Sequence, residues 1–307
     1  MTAYWVGVAT LTGIYMIAIL GISILCGFTG LFSMGHAGFM AIGGYVSALV
    51  VMRLGVPIPV GIILGATTAA IVGELISYPT LRLRDDYFII ATLGIGEAIK
   101  LIIQNLTDLT GGARGLTNIP PLPNAWRFPI VLACVVAVVI FIELFLHTKY
   151  GRNCVAVREN ELAATSVGID AFRYKKLAMT ISCGLCGLAG GLLAHYMHYL
   201  QPNMFTYVKS DELLITVVLG GRGSITGTIL ATLVLVPLPE YLRFGQAQEW
   251  RMVLYGFLVV LVILFRPAGL MGTKELTWHD VKTAARAAGD FIKKRGSRSP
   301  KSSGTSN

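Results

Sequence analysis

Glu97, Lys100 and Gln104 are spaced i, i+3, i+7, which places them on one face of a helix. They stand inside the otherwise apolar run 87–107. Counting from Asp86 at about 1.5 Å per residue puts Glu97 about 16 Å along, near the middle of a hydrocarbon core about 30 Å thick. Ionisable groups at that depth are costly and face a cavity or a partner. Two readings follow: the face lines a solute pathway or gate, or Glu97 and Lys100 neutralise one another against a neighbouring helix. Cys183-Gly-Leu-Cys186 has the spacing of a redox or metal pair, but it sits in an uncharged apolar helix with no second pair downstream. Packing is therefore its expected role. His195 and His198 have no acidic third ligand and no His-Glu-x-x-His pattern, so they read as interfacial side chains rather than metal ligands. Catalytic signatures are absent: no Gly-x-Ser-x-Gly elbow, no Gly-x-x-x-x-Gly-Lys phosphate loop, and no lysine in Gly220-Gly-Arg-Gly-Ser224. The sequence thus predicts a chain that is not an enzyme and holds no metal or cofactor. If ATP powers it, another chain binds the nucleotide.

The elements that must carry these side chains are membrane spans. Of 307 residues, 54% are hydrophobic and 13% charged, against about 25% charged in an ordinary soluble domain. From Met1 to Met52 there is no Asp, Glu, Lys or Arg, while a span needs only about 20 apolar residues. Tyr4–Phe28 lacks the basic start and short apolar core of a signal peptide, so a retained span is expected. The five cysteines lie in or beside apolar segments and imply no disulfide framework. Low-charge runs at 4–28, 34–52, 57–79, 87–107, 128–147, 177–200, 212–239 and 252–266 predict an all-α polytopic transmembrane bundle of about 8–10 membrane segments. A β-barrel would alternate at period two, and these runs are continuously apolar.

The net charge of +9 is concentrated in two places. Segment 148–176 holds Lys149, Arg152, Arg158, Arg173, Lys175 and Lys176, and nine more basic residues lie between Arg266 and Asn307. Beside apolar spans these clusters mark cytoplasmic loops, not a nucleic-acid surface. Stepping outward from 148–176 leaves 108–127 external and returns the C-terminus to the cytoplasm; two simple spans before residue 53 would put Met1 outside, unless Gly27-Phe-Thr-Gly30 and Ser33-Met-Gly-His-Ala-Gly38 break helix 1 or 2. The run 212–239 must then enter and come back, as two spans or a re-entrant hairpin, with Gly220-Gly-Arg-Gly223 near its middle. Residues 1–272 form a transmembrane domain and 273–307 a basic, partly disordered tail with a short amphipathic piece around Trp278, Val281, Ala285 and Phe291. The stretch 155–170 places Arg158, Glu159 and Glu161 first, then Ala163-Ala164, then Gly168. That order suits a short cytoplasmic helix with a charged start, a small face and a glycine stop, as against an ordinary basic connector.

Several ordered blocks together resemble the LivM-type permease subunits of bacterial ABC importers for branched-chain amino acids. They are Gly27-Phe-Thr-Gly-Leu-Phe-Ser-Met-Gly-His-Ala-Gly-Phe39, Leu83-Arg-Asp-Asp-Tyr-Phe88 with Ala91-Thr-Leu-Gly94 and Glu97, Thr110-Gly-Gly-Ala-Arg-Gly-Leu116, the 150–168 loop, and Val218-Leu-Gly-Gly-Arg-Gly-Ser224. The resemblance covers about residues 10–270. It implies a homologous second permease of the LivH type, two cytoplasmic ATPase subunits, a periplasmic solute-binding protein and residence in the bacterial inner membrane. The 155–170 loop looks like the motif that docks an ATPase, Glu-Ala-Ala-x-x-x-Gly. Ala163, Ala164 and Gly168 fit it, whereas the acid, Glu161, stands one position early and Leu162 occupies its place. The polar members of the other blocks, Ser33, His36 and Thr92, join Glu97, Lys100 and Gln104 as the candidate translocation path. Relatives that carry urea or short amides leave the solute class wider than the mechanism. The rival expectation is an ion-coupled secondary transporter working through Glu97 and Lys100, which predicts internal repeats; no convincing repeat is present. An intramembrane enzyme is the remaining alternative and lacks nucleophile and metal patterns.

Overall fold

A computed structural model describes residues 2–83, 85–123 and 126–241, together with Gly256, Val260, Leu264 and Gly269. All of these belong to the unit Met1–Thr273, and the remainder, Lys274–Asn307, lies outside the described residues. So does the expected run 252–266, apart from its three single positions. Every regular element described is helical, and one isolated bridge joins Leu116 to Leu200.

Helix α1 covers Thr2–Ser23 and continues as a π-helical turn over Ile24–Phe28. After a non-helical passage, α2 spans His36–Leu54, α3 Ile58–Thr80 and α4 Asp85–Asn105. The short α5 (Thr107–Thr110) precedes an extended stretch, and α6 runs from Arg127 to His147. Two small helices, α7 (Lys149–Glu159) and α8 (Glu161–Ser166), lead into the longest, α9 (Ala171–Met197). Then come α10 (Tyr207–Gly220), α11 (Ile225–Leu235) and α12 (Leu238–Tyr241). Among the described residues, Tyr4–Phe28, α2, α3, α6 and α9 are long and apolar enough to cross a membrane. Helix α4 has the length but carries the charges that the sequence pattern singled out.

The apolar run 212–239 resolves into α10 and α11, joined by Gly221–Ser224 with Gly221 and Gly223 at positive φ. At about 1.5 Å per residue each is shorter than the roughly 30 Å of a hydrocarbon core, and the two form a tight helical hairpin. Helix α9 begins at Ala171, ahead of the expected 177, because the Asp170 carboxylate accepts from Arg173 N (3.2 Å) and caps it.

Helix α9 is the axis against which α1, α2 and α3 pack. Glycine lets the backbones meet: a Cβ on Gly43 of α2 would fall 2.1 Å from the Gly187 carbonyl of α9, and one on Gly65 of α3 would fall 2.3 Å from that of Gly43. Histidines tie the helices together inside this contact, although His36 Nδ1 is buried without a hydrogen-bond partner among the described residues. His36 Nε2 lies 2.8 Å from Ser182 Oγ, and His195 joins Ser47 Oγ (3.1 Å) to the Pro120 carbonyl (2.8 Å). His195, in the last turn of α9, is thus a fully buried tie between α2, α9 and the 116–123 stretch. Cys183 and Cys186 are buried packing residues, and among the described residues no His/Cys/Asp/Glu group could hold a metal.

Candidate functional site

The passage 29–35 breaks the helical ladder between α1 and α2, so its polar atoms need partners from elsewhere. They find them on α4 and α10. Met34 N donates to Thr92 Oγ1 (3.2 Å), Thr92 donates on to the Ile89 carbonyl (2.9 Å), and Ala37 N donates to Ser210 Oγ (2.8 Å). Ser210 therefore caps the first turn of α2 from a distant part of the chain, where Gly35 offers no side-chain cap. Gly35 must be glycine, since a Cβ there would lie 2.4 Å from the Thr92 carbonyl. Ser33, His36 and Thr92 are all buried around this crossing. Three of the expected path residues are thus brought together.

Glu97 and Lys100 form an ion pair one turn further along α4. The second oxygen of Glu97, Oε1, accepts from Tyr207 N at 2.8 Å. Tyr207 is the first residue of α10, whose preceding Thr206 supplies no side-chain cap, so Glu97 places its negative charge on an exposed helix start. Gln104 lies two turns beyond Glu97 on α4, partly exposed. The buried-pair reading of Glu97 and Lys100 gains a specific third party, the N-terminus of α10.

At the opposite side of the sequence's interest, the 148–170 loop folds as two helices, not one. Asn160 ends α7 and caps α8, its side chain accepting from Ala163 N at 3.0 Å. Gly168 (φ +86°) closes α8: Gly168 N bonds the Thr165 carbonyl and Ile169 N the Ala164 carbonyl, both at 3.0 Å. These are the paired bonds of a Schellman stop, completed by packing of Ile169 near Ala164. The expected small face is split as a result. Ala163 is exposed, but Ala164 is buried against Val157 and Ala171. The apolar side chains that project instead are Leu162, 82% exposed, and Val167, 76% exposed. Arg158 also departs from expectation. It turns inward, donating from Nη1 to the Gly27 carbonyl at 2.6 Å, while Glu159 is exposed and Glu161 pairs with Lys175 at 2.7 Å. Burial pushes the Cys154 thiol of α7 up to about 11, so this loop carries no reactive thiolate there.

The model of the family described as branched-chain amino acid transport system / permease component matches residues 4–263. The chain belongs to that family. It is 35% identical to the high-affinity branched-chain amino acid transport system permease protein LivM of Escherichia coli K12, over 87% of this chain and 69% of the relative. It is 27% identical to the probable LivM permease of Methanocaldococcus jannaschii (88% and 94%) and 26% identical to LivH of E. coli K12 (87% and 94%). No solved structure matches it. Membership makes the chain a multi-pass membrane permease subunit of the LivM type, a transport component and not an enzyme.

One charged group of this permease escaped the sequence reading. Lys209 pairs with Glu212 at 2.9 Å, and its ammonium lies 3.9 Å from the centre of the Tyr15 ring. Both charges are on the first turns of α10, beside Ser210. The i, i+3 spacing of Lys209 and Glu212 was the available signal, at the edge of the apolar run 212–239.

Proposed function

We propose that this permease is one half of the membrane path of an ATP-driven importer of branched-chain amino acids or related small amino acids and amides, with a homologous LivH-type permease as the other half. The observation that carries this reading is family membership over nearly the whole span-bearing region. Relatives named both LivM and LivH match the chain, which supports a second permease as partner. The permease needs no cofactor and binds no ATP; two cytoplasmic ATPase subunits supply hydrolysis and a periplasmic solute-binding protein supplies solute. The basic residues of 148–176 favour a cytoplasmic address for α7 and α8, and those after Arg266 favour a cytoplasmic C-terminus, in the bacterial inner membrane. Residues 1–272 serve as the permease domain and 273–307 as a basic tail. Leu162 and Val167 offer an ATPase groove an apolar contact, with Glu159, Glu161 and Ala163 around it. Gly168 fixes the direction in which α8 ends, and Ala164 anchors α8 to the permease itself. Ser33, His36, Thr92, Glu97, Lys100 and Gln104 flank the path. The ion-coupled alternative finds no support in the family, and Glu97 is already engaged in holding α10.

Proteoliposomes test the reading. The permease, co-expressed with neighbouring permease, ATPase and binding-protein genes, should accumulate radiolabelled leucine only with ATP inside and binding protein outside. Uptake driven by a proton or sodium gradient without ATP would establish the ion-coupled alternative instead. ATP-driven uptake of urea or amides but not of leucine would keep the mechanism and replace the solute.

A further inference from the structure

Two glycine motifs, Gly27-Phe-Thr-Gly30 and Gly220-Gly-Arg-Gly223, lie far apart in sequence. The fold brings them together around one side chain. Arg158, in the last turn of α7, donates to the Gly27 carbonyl at 2.6 Å, at the π-helical end of α1. A Cβ on Gly223 would sit 2.5 Å from Arg158 Nη1, and one on Gly30 would sit 3.1 Å from Arg158 Cγ. Gly27 and Gly223 also touch each other, since a Cβ on Gly27 would meet Gly223 N at 3.2 Å. Gly30 and Gly223 are held at φ +80° and +90°. The rest of the guanidinium is fixed from behind by Glu159, with Nε at 3.0 Å and Nη2 at 2.5 Å from Oε1. A second cation crosses the same junction, because Arg222 in the hairpin turn lies 4.6 Å from the centre of the Phe32 ring.

Each element that meets at Arg158 leads to the polar crossing. The π-helical turn opens into 29–35, whose Met34 is tied to Thr92. From the hairpin turn, α10 leads back to Ser210, which caps α2, and to Tyr207, which is held by Glu97. A π-helical turn is a register in which one residue is extra, so a shift back to the α register rotates that end of α1 and changes its length. A helix end with free carbonyls favours a cation, and the planar fork of arginine can serve the Gly27 carbonyl and the Glu159 carboxylate at once.

We propose that Arg158 is a positioning residue that carries movement of the 148–170 loop into the membrane, acting on the π-helical end of α1 and the α10–α11 turn together. The proposal rests on the reading of that loop as the ATPase-docking element. Movement of α7 displaces the guanidinium, and the two glycine junctions follow it because nothing bulkier than hydrogen separates them from it. The crossing at Ser33, Thr92, Ser210 and Glu97 then rearranges. Gly30 and Gly223, which abut Arg158, leave the room this lever needs.

The test uses the complete importer, reconstituted in proteoliposomes, with Arg158→Met and Arg158→Lys. Three quantities are read for each: ATPase subunit retained through purification, ATP hydrolysed, and radiolabelled leucine taken up per ATP. Arg158→Met should keep the ATPase bound and hydrolysis within about two-fold, while uptake per ATP falls about ten-fold or more. Arg158→Lys, with one ammonium for two acceptors, should fall between, about three-fold below the native ratio. If Arg158→Met does not assemble, the lysine variant decides alone. A native uptake-to-ATP ratio in the variants overturns the proposal, and so does a parallel loss of uptake and hydrolysis, which a merely structural role would give. Absence of a bound ATPase from the unsubstituted complex is a separate failure, visible before any substitution, and it removes the docking reading and this proposal together.

Discussion

Replacing Glu97 by alanine removes two interactions at once: the ion pair with Lys100 and the acceptor for Tyr207 N at the start of α10. The side chains of Lys100 and Glu97 are 14% and 25% exposed, so the pair is only partly screened. Leaving a well-buried charge without its partner costs about 3–5 kcal/mol, and the partial exposure here reduces that to about 1–2 kcal/mol. Loss of a helix-start acceptor adds about 1 kcal/mol. Glu97→Ala should therefore cost about 2–3 kcal/mol, whereas Glu97→Gln keeps a carbonyl for Tyr207 N and should cost about half as much. For a chain of this size that corresponds to a fall in Tm of about 4–12 °C for the alanine variant. Adding Lys100→Met to Glu97→Gln removes the stranded ammonium and should recover most of the loss. The assay is thermal unfolding of the purified permease in detergent, followed by intrinsic fluorescence, alongside leucine uptake by the reconstituted complex. Equal Tm values for Glu97→Ala and Glu97→Gln would refute the capping argument. Full uptake by the double variant would show that neither charge takes part in the path beyond holding α10.

Gly43→Ala should destabilise the bundle by about 1–3 kcal/mol, because its Cβ would meet the Gly187 backbone at 2.1 Å; Gly94→Ala, with nothing within 4 Å, should leave Tm unchanged or slightly higher. Thermal unfolding of the two variants side by side checks this. Leu162→Asp or Val167→Asp should release the ATPase during purification while the permease keeps its Tm, whereas Ala164→Leu should lower the Tm of the permease itself by overpacking α8. Retention of the ATPase by both aspartate variants would remove the docking role of the exposed pair. His198, just beyond α9, accepts from Arg127 at 3.0 Å, and burial followed by the neighbouring guanidinium lowers its pKa below the ordinary histidine value. The folded state then binds fewer protons than the unfolded chain below about pH 6.5, so this stabilisation is complete above that pH and is lost as the pH falls through it. His198→Asn, which tolerates the local φ of 62°, should flatten the dependence of Tm on pH between about 5 and 7, and an unchanged slope would sink the assignment.

The sequence alone determined that this chain is a helical membrane protein and where its long spans lie. Length of apolar run is a local property, set by the thickness of the solvent it must cross, and α1, α2, α3 and α6 fall where the runs do. The periodicity of Glu97, Lys100 and Gln104 is equally local, and so is the Gly168 stop, because a left-handed residue after a helix needs no distant partner. Several blocks in fixed order were enough to name the family. What they could not say is which way a side chain faces when its partner lies a hundred residues away. Ala164 reads as a docking surface until Val157 and Ala171 cover it, and Arg158 reads as a rim charge until the Gly27 carbonyl is found within its reach. Glu97 could have lined a path or closed a pair, and only the arrival of the α10 start beside it added the third member. The hairpin of α10 and α11 was ambiguous for the same reason. Hydropathy measures how much apolar sequence there is, while the turn at Gly221–Ser224 is held by contacts with Gly27 and Arg158 that no local pattern records. Burial is cheap to read from composition; the pairing of buried polar groups is a long-range matter, and the tertiary structure alone decided it.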